Sequence, residues 1–412
     1  MSRKKTLALL AAMLLVLAPA ARSAGFLIYE HGAAAMAMAG AFTSLAKDPS
    51  ALWHNPAGMA WLEGTQIMAG ATFIFPKGSV AFNSYPGTPS YNQVHQIFTP
   101  PNFYLTHKFS DKLAAGLGVC APYGLGIEWP DPDTFLWRYL GTMADMKTFV
   151  VNPAVAYKFS DHFSVGIGVS FIFSSFAQSV TQVINMGKPA EVPTDMDANG
   201  TAFGFNAGIL YKDDNFSLGV NYRSRFRLKY QGTVALDVPG YPEPLPGTVD
   251  VALEFPDIAT MGLSFNLTEK LVWAVDLHYL FWTVYDSYTA HVVVPDLEMT
   301  EDIVSEPKWN NSFTARTGLE YLASDKLSLR LGFIYDRTPQ PAASMDGTLP
   351  DADRVAFTGG FGYKIGKLVV DVAYHFESFR KRTSERPDLN DQLQGTFKTQ
   401  AHLIGINLGY RF

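Results

Sequence analysis

The 412-residue sequence contains a single cysteine, Cys120, which excludes an intramolecular disulfide framework and any cysteine-rich zinc site. Charge is scarce: Asp, Glu, Lys and Arg make up 17% of the chain, against about 25% in an average soluble domain. Beyond the first 23 residues there is no run of 18 apolar residues, hence no candidate transmembrane helix. The formal charge of −6 argues against non-specific nucleic-acid binding. There is no Gly-x-Ser-x-Gly elbow, no His-Glu-x-x-His and no phosphate-cradling glycine loop. The nine histidines are scattered, with no pair at metal-ligand helical spacing. The chain thus reads as a protein that is not an enzyme and needs neither metal nor cofactor. It is rich instead in apolar (48%) and aromatic (14%) residues, far too much buriable surface for a disordered chain.

Residues 1–23 have the form of a secretory signal peptide. Arg3, Lys4 and Lys5 precede an apolar run from Leu7 to Leu17, and Ala21-Arg22-Ser23 is a small-residue cleavage site. Removing four basic residues leaves 28 basic against 38 acidic, a mature charge of −10. The rest of the chain is organised by a period of two. Phe163, Val165, Ile167, Val169, Phe171 and Phe173 alternate with mostly small or polar residues, and the pattern recurs at 216–222, 271–281, 327–335 and 368–376. Short polar turns at 109–112, 159–162, 212–215, 266–270, 323–326 and 364–367 alternate with long segments near 83–96, 122–147, 177–199, 231–250, 283–307, 339–351 and 383–395. Six tight turns between seven long loops make fourteen strands, the even count and one-sided loop lengths of an outer-membrane barrel. The predicted fold is all-β, a 14-stranded antiparallel transmembrane β-barrel over 65–412. Its last strand ends on Phe412, a terminal aromatic that resembles the signal read by the barrel assembly machinery. Residues 24–64 do not alternate; their small residues and prolines suit a compact plug, or hatch, inside a barrel too wide for its own side chains to fill.

Several segments resemble the FadL/TodX family of outer-membrane transporters for long-chain fatty acids and aromatic hydrocarbons. They are Gly25-Phe26 with the following Ala/Gly stretch, Asn55-Pro56-Ala57, Trp137-Arg138-Tyr139, Val151 to Lys158, Asn221 to Ser224, Asp336 to Pro341 and Leu349 to Arg354. The resemblance implies passive uptake: capture of a hydrophobic small molecule among the outer loops, transfer to an inner pocket, hatch rearrangement and exit through a lateral gap into the membrane. It implies a monomer among outer-membrane lipids. Gating falls to Phe26, Asn55, Pro56 and Ala57. Gly116, Gly118 and Pro122 would permit an inward kink in the third strand, or merely dot it with glycine.

The loop 123–146 is too aromatic for an ordinary surface loop, so Trp129, Phe135, Leu136, Trp137, Tyr139, Leu140 and Met143 are expected to line an apolar capture groove. Phe281, Trp282, Tyr285 and Tyr288 fit either a second groove or the aromatic girdle at the lipid interface. For a carboxylate head group the candidates are Arg138 and a ladder of Arg223, Arg225, Arg227 and Lys229, whose parity is opposite to that of lipid-facing Phe216 to Leu228. Lumen salt bridges with Asp276, Glu320, Asp371 or Glu377 are the other use for such cations. The alternatives to fatty-acid uptake are a hydrocarbon channel without head-group recognition and a general porin, which would need an open aqueous lumen.

Overall fold

The computed structural model describes residues 25–83, 90–185 and 188–412; the signal peptide expected at 1–23 lies outside the described residues. Fourteen strands form the wall. They are β1 (Thr65–Phe82), β2 (Pro101–Lys108), β3 (Leu113–Cys120, continued by Gly124–Glu128), β4 (Met143–Lys158), β5 (Phe163–Asn185), β6 (Pro189–Lys212) and β7 (Phe216–Arg223 and Phe226–Leu236). They continue with β8 (Leu245–Phe255 and Ile258–Asn266), β9 (Leu271–Leu280), β10 (Ser312–Leu322), β11 (Leu327–Asp336), β12 (Arg354–Ile365), β13 (Leu368–Phe379) and β14 (Gly395–Arg411). Each pairs antiparallel with its neighbour, and β14 closes on β1 from Gln66↔Arg411 to Phe82↔Gly395. Closure leaves no strand edge to satisfy in lipid.

The alternation of apolar residues is the cause of this wall. Outward positions such as Phe171, Phe203, Leu331, Phe357 and Ile406 are exposed, while their neighbours turn into the lumen. Aromatic side chains ring both ends of the apolar belt, among them Tyr157, Tyr363 and Tyr410 below, Phe149, Phe173 and Tyr279 above. Outward positions between the two rings carry no charged residue.

Two long segments expected to be loops are strands instead. Residues 177–199 and 231–250 extend β5 to β8 well past the membrane, with Gln178↔Met196 and Val234↔Gly247 in register. Pairing satisfies their backbone groups, and their inward side chains, Phe176, Met196 and Val251 among them, pack on an apolar cluster. The segment 283–307 likewise folds into a hairpin, Tyr288–Val294 against Met299–Ser305.

Halfway up β7 and β8 the alternation slips. Arg223 pairs with Asn206 and Lys229 with Thr201, so six residues of β7 oppose five of β6, a β-bulge at Ser224-Arg225. Below it Gly219 and Asn221 face inward; above it Phe226, Leu228 and Tyr230 do. A one-residue slip exchanges the faces, so Arg225, Arg227 and Lys229 point outward, correcting the expected inward ladder. Buried Asp257 holds the bulge, accepting from the Arg225 amide at 2.9 Å, from Arg225 Nε at 2.7 Å and from the Tyr222 hydroxyl.

Residues 25–64 plug the lumen. They form two short helices, α1 (Ala33–Ala37) and α2 (Ala51–His54), and a 3-10 helix, Pro56–Trp61. Small residues let the plug approach the wall backbone: a Cβ at Gly208 would stand 2.1 Å from Asn55 Oδ1, and one at Gly166 2.5 Å from the Ala57 amide.

Candidate functional site: two cavities meeting at Phe26

The N-terminal segment enters the lumen and joins the wall. Cys120 is the last residue of β3 paired with β2, through Asn102. Beyond it Ala121-Pro122-Tyr123 interrupt the strand, and the continuation Gly124–Glu128 pairs with β4 alone. The vacated edge is taken by residues 26–28. The Ile28 amide donates to Pro122 O at 2.8 Å, the Gly124 amide donates to Phe26 O at 3.1 Å, and Leu27 bridges Tyr123. A Cβ at Gly126 would stand 1.9 Å from the Phe98 ring, and one at Gly124 2.8 Å from Ile28. Glycine is therefore required on this side for Phe98 and Ile28 to close the gap between β2 and β3.

Gly116 and Gly118 lie in the regular part of β3 and make room for the plug, against Leu52, Met59 and Tyr104. Of the three kink candidates, only Pro122 stands at the interruption.

Phe26 stands in a cage of rings, with centroids of Trp282, Phe255, Trp309, Tyr285 and Tyr123 at 5.0, 5.5, 5.6, 6.0 and 6.2 Å. Gly25, at φ +60°, lies so close to Trp309 that a Cβ would fall 2.5 Å from its ring. On one side of Phe26 is an outer cavity of about 310 Å³, walled by Met146, Phe176, Met196, Leu253, Tyr285 and Tyr288. On the other is an inner cavity of about 220 Å³. Phe26, Leu125 and Leu349 line both.

The inner cavity has an apolar end (Leu27, Ile28, Ile74, Phe98, Ile127, Leu403) and a charged end (Glu30, Arg316, Asp336, Asp351, Arg354, His375, Glu377). Arg354 Nε is bonded to Asp336 at 2.8 Å, and its Nη1 lies 3.8 Å from Glu377. Arg316 is 3% exposed, stacks 3.8 Å over the Tyr29 ring and donates to Ala39 O at 2.8 Å; its Nε has no partner. Asp351, in the loop between β11 and β12, is pushed up to about 6 by burial, against the opposing pull of Arg354 and the Thr338 hydroxyl.

The expected groove residues form a packed roof. Trp129, Phe135 and Trp137 are buried with Phe82, Met345 and Phe397, and Leu136 and Leu140 pack against them. Trp129 Nε1 donates to Gly347 O and Trp137 Nε1 to Leu393 O, both at 2.7 Å, which ties three outer loops together. Of the seven, Trp129 alone borders the inner cavity. Met143 is half-buried at the start of β4, and Tyr139 is exposed at the rim with Arg138, whose Nη2 lies 3.0 Å from Glu191. Tyr285 and Tyr288 line the outer cavity and Trp282 is fully buried, so these three belong to the lumen rather than to the lipid girdle.

The wall grips the plug through its backbone. Asp276 accepts from the Thr43 amide at 2.9 Å and the Phe42 amide at 3.1 Å. Arg223 stacks 3.6 Å over Trp53 and donates to Trp53 O at 2.6 Å, so the one inward member of the expected ladder is engaged with the plug. Asn55 donates to Thr43 O and Ile209 O at 3.0 and 2.9 Å and accepts from the Ala57 amide at 3.1 Å, capping the 3-10 helix. The residues missed in the sequence are Phe98, Gly124, Gly126 and Tyr29. The spacing Gly124-x-Gly126 just after Pro122 was their only signal.

Residues 14–412 match the family model described as outer membrane protein transport protein (OMPP1/FadL/TodX). The chain is 24% identical to a long-chain fatty acid transport protein of Salmonella typhi over 442 residues, covering 98% of each. It is likewise 24% identical to outer membrane protein P1 of Haemophilus influenzae, covering 100% of each. Among solved structures, a Pseudomonas aeruginosa FadL homologue superposes with a TM-score of 0.83 at 21% identity, over 94% of this chain and all of that one. The Ralstonia pickettii toluene transporter TbuX gives 0.74 at 20%, over 93% and 99%. With its closed barrel, its plug and a match spanning nearly the whole sequence, this chain belongs to the OMPP1/FadL/TodX family of outer membrane transport proteins.

Proposed function

We propose that this protein takes up long-chain fatty acids, or closely similar hydrophobic compounds, passively across the outer membrane. The observation that supports this reading is the pair of cavities that meet at Phe26, Leu125 and Leu349, with the inner cavity reaching the interruption in β3. A ligand captured in the outer cavity displaces Phe26 and enters the inner one. Release of residues 26–28 from Pro122–Gly124 then opens the gap between β2 and β3 toward lipid. An apolar chain leaving sideways never crosses open water. In the inner cavity the carboxylate is received by Arg316, whose Nε is unpartnered.

One observation favours an uncharged hydrocarbon instead. The charged end carries four carboxyl groups, Glu30, Asp336, Asp351 and Glu377, against two arginines. Titration of the detergent-solubilised barrel with oleate, methyl oleate and toluene separates the two readings. Fatty-acid uptake predicts tight oleate binding, weaker ester binding, and about tenfold weaker oleate binding in Arg316→Gln with the ester unaffected, the loss of one charge-assisted hydrogen bond. Equal affinity for ester and acid, unchanged in Arg316→Gln, gives the hydrocarbon reading.

A further inference from the structure

The outer face of the seam between β14 and β1 carries a feature that ligand passage does not use. Outward positions of β1 read Ile67, Ala69, Ala71, Phe73, Phe75, then Lys77; those of β14 read Tyr410, Leu408, Ile406, Ile404, His402, Gln400, then Lys398. Lys77 is paired with Gln400 and Lys398 with Ser79, so the two lysines are diagonal neighbours, about 7 Å apart at their backbones. Both are exposed, and neither has an ion-pair partner among the described residues. On the neighbouring β13 the outward residues are Tyr374, Phe376 and Ser378, with the Tyr374 hydroxyl 2.7 Å from His402 Nδ1. On the other side, beyond the segment that follows β1, Glu128 accepts from Gln96 at 3.1 Å.

Three other outward cations above the belt are answered locally. Arg225 has Asp257 at 2.7 Å, Arg227 has Glu254 at 3.5 Å, and Lys147 has Asp145 at 2.6 Å. At the seam two cations of neighbouring strands stand side by side with no ion pair among the described residues.

Height identifies what faces it. From Thr65 to Lys77 a strand rising about 3.3 Å per residue and tilted about 40° climbs roughly 30 Å, just above an apolar band about 25 Å tall. There a barrel of the outer membrane meets the phosphorylated glucosamines of outer-leaflet lipopolysaccharide. We propose that Lys77 and Lys398, with Gln400 and His402 beside them, form a lipid A phosphate site on this seam. Two ammonium groups one diagonal apart can hold one phosphate by charge-assisted hydrogen bonds, while Phe73, Phe75 and Ile404 below them receive the acyl chains. The site is independent of which ligand the lumen carries.

Native mass spectrometry of the barrel titrated with bis-phosphorylated lipid A tests this. The wild type is expected to retain one lipid A, and Lys77→Gln/Lys398→Gln to bind it about 30-fold more weakly, as removal of two surface charges predicts. Arg227→Gln/Lys147→Gln, which removes compensated cations at the same height, should bind as wild type, and phosphatidylglycerol and inorganic phosphate should fail to displace the lipid. Both double variants lie on the exposed surface, and their folding is verified by heat-modifiable mobility. Wild-type affinity in the lysine variant, or equal binding of dephosphorylated lipid A, overturns the proposal. Equal competition by phosphatidylglycerol or free phosphate does so too.

Discussion

A single inserted residue decides what three cations can do. Without the bulge at Ser224-Arg225, Arg225, Arg227 and Lys229 would line the lumen; with it they face outward and are held partly by Asp257 and Glu254. Arg225→Ala combined with Arg227→Ala is therefore expected to leave oleate affinity within about twofold of wild type, because both guanidinium groups lie outside the lumen and Asp257 keeps its bonds to the residue 225 amide and the Tyr222 hydroxyl. Fluorescence titration of the purified barrel measures this, and a loss above tenfold would place the pair back in the ligand path. Residue-level chemistry also explains the plug's docking. Wall side chains reach plug carbonyls and amides, so the plug is held by directional bonds that can be exchanged one at a time rather than by one broad apolar interface.

Among the elements, the proposed uptake route rests on the plug and the β3 interruption. Asn55→Ala leaves Thr43 O, Ile209 O and the Ala57 amide without their partner, a cost of about 1–3 kcal/mol in plug stability. Hydrogen exchange across 41–61 should quicken by roughly 5- to 150-fold, while oleate affinity stays unchanged and uptake falls; slowed binding with unchanged exchange would contradict this role. The plug is also expected to be acid-sensitive. His54 is lowered to about 4, chiefly by burial, with Arg223 and Arg316 adding to the effect and its bond to the His31 carbonyl opposing it; His31 lies well below its usual range, chiefly by burial and then through His54 and Arg223. Both are held neutral in the folded plug, so their contribution is complete above the ordinary value of about 6.5 and is lost as pH falls from there toward 4. Exchange in residues 31–61, corrected for intrinsic rate, is expected to be faster at pH 4.5 than at pH 7.5, and no change would refute the assignment.

The strands were legible in the sequence because lipid on one side and plug on the other impose a strict period of two, as in Phe163 to Phe173. The plug was legible by the lack of that period in 24–64. The site was not. Trp137 and Phe135 signal apolar burial, but composition cannot tell a packed roof from an open groove. The bulges in β7 and β8 depend on which partner strand holds the extra residue, and that is a property of the pair. Phe26 was marked by resemblance, yet its cage draws on residues as far apart as Tyr123 and Trp309.

At the scale of the molecule, one continuous sheet does three jobs. Its lower part turns an uncharged outer face to lipid, its upper part encloses the outer cavity, and the interruption beside Gly124 and Gly126 is stopped by residues 26–28 of the same chain. The proposed lateral exit requires those residues to leave. Leu27 and Tyr123 are cross-strand partners, and such pairs lie about 4.5–5.5 Å apart at Cα, within the range a disulfide spans. Leu27→Cys/Tyr123→Cys, oxidised in cells that lack other uptake routes, pins the segment to β3. Oleate uptake is predicted to fall to background when the bond forms and to recover on reduction, with oleate binding to the outer cavity retained throughout. Full uptake through the cross-linked barrel would show that the ligand leaves by another path.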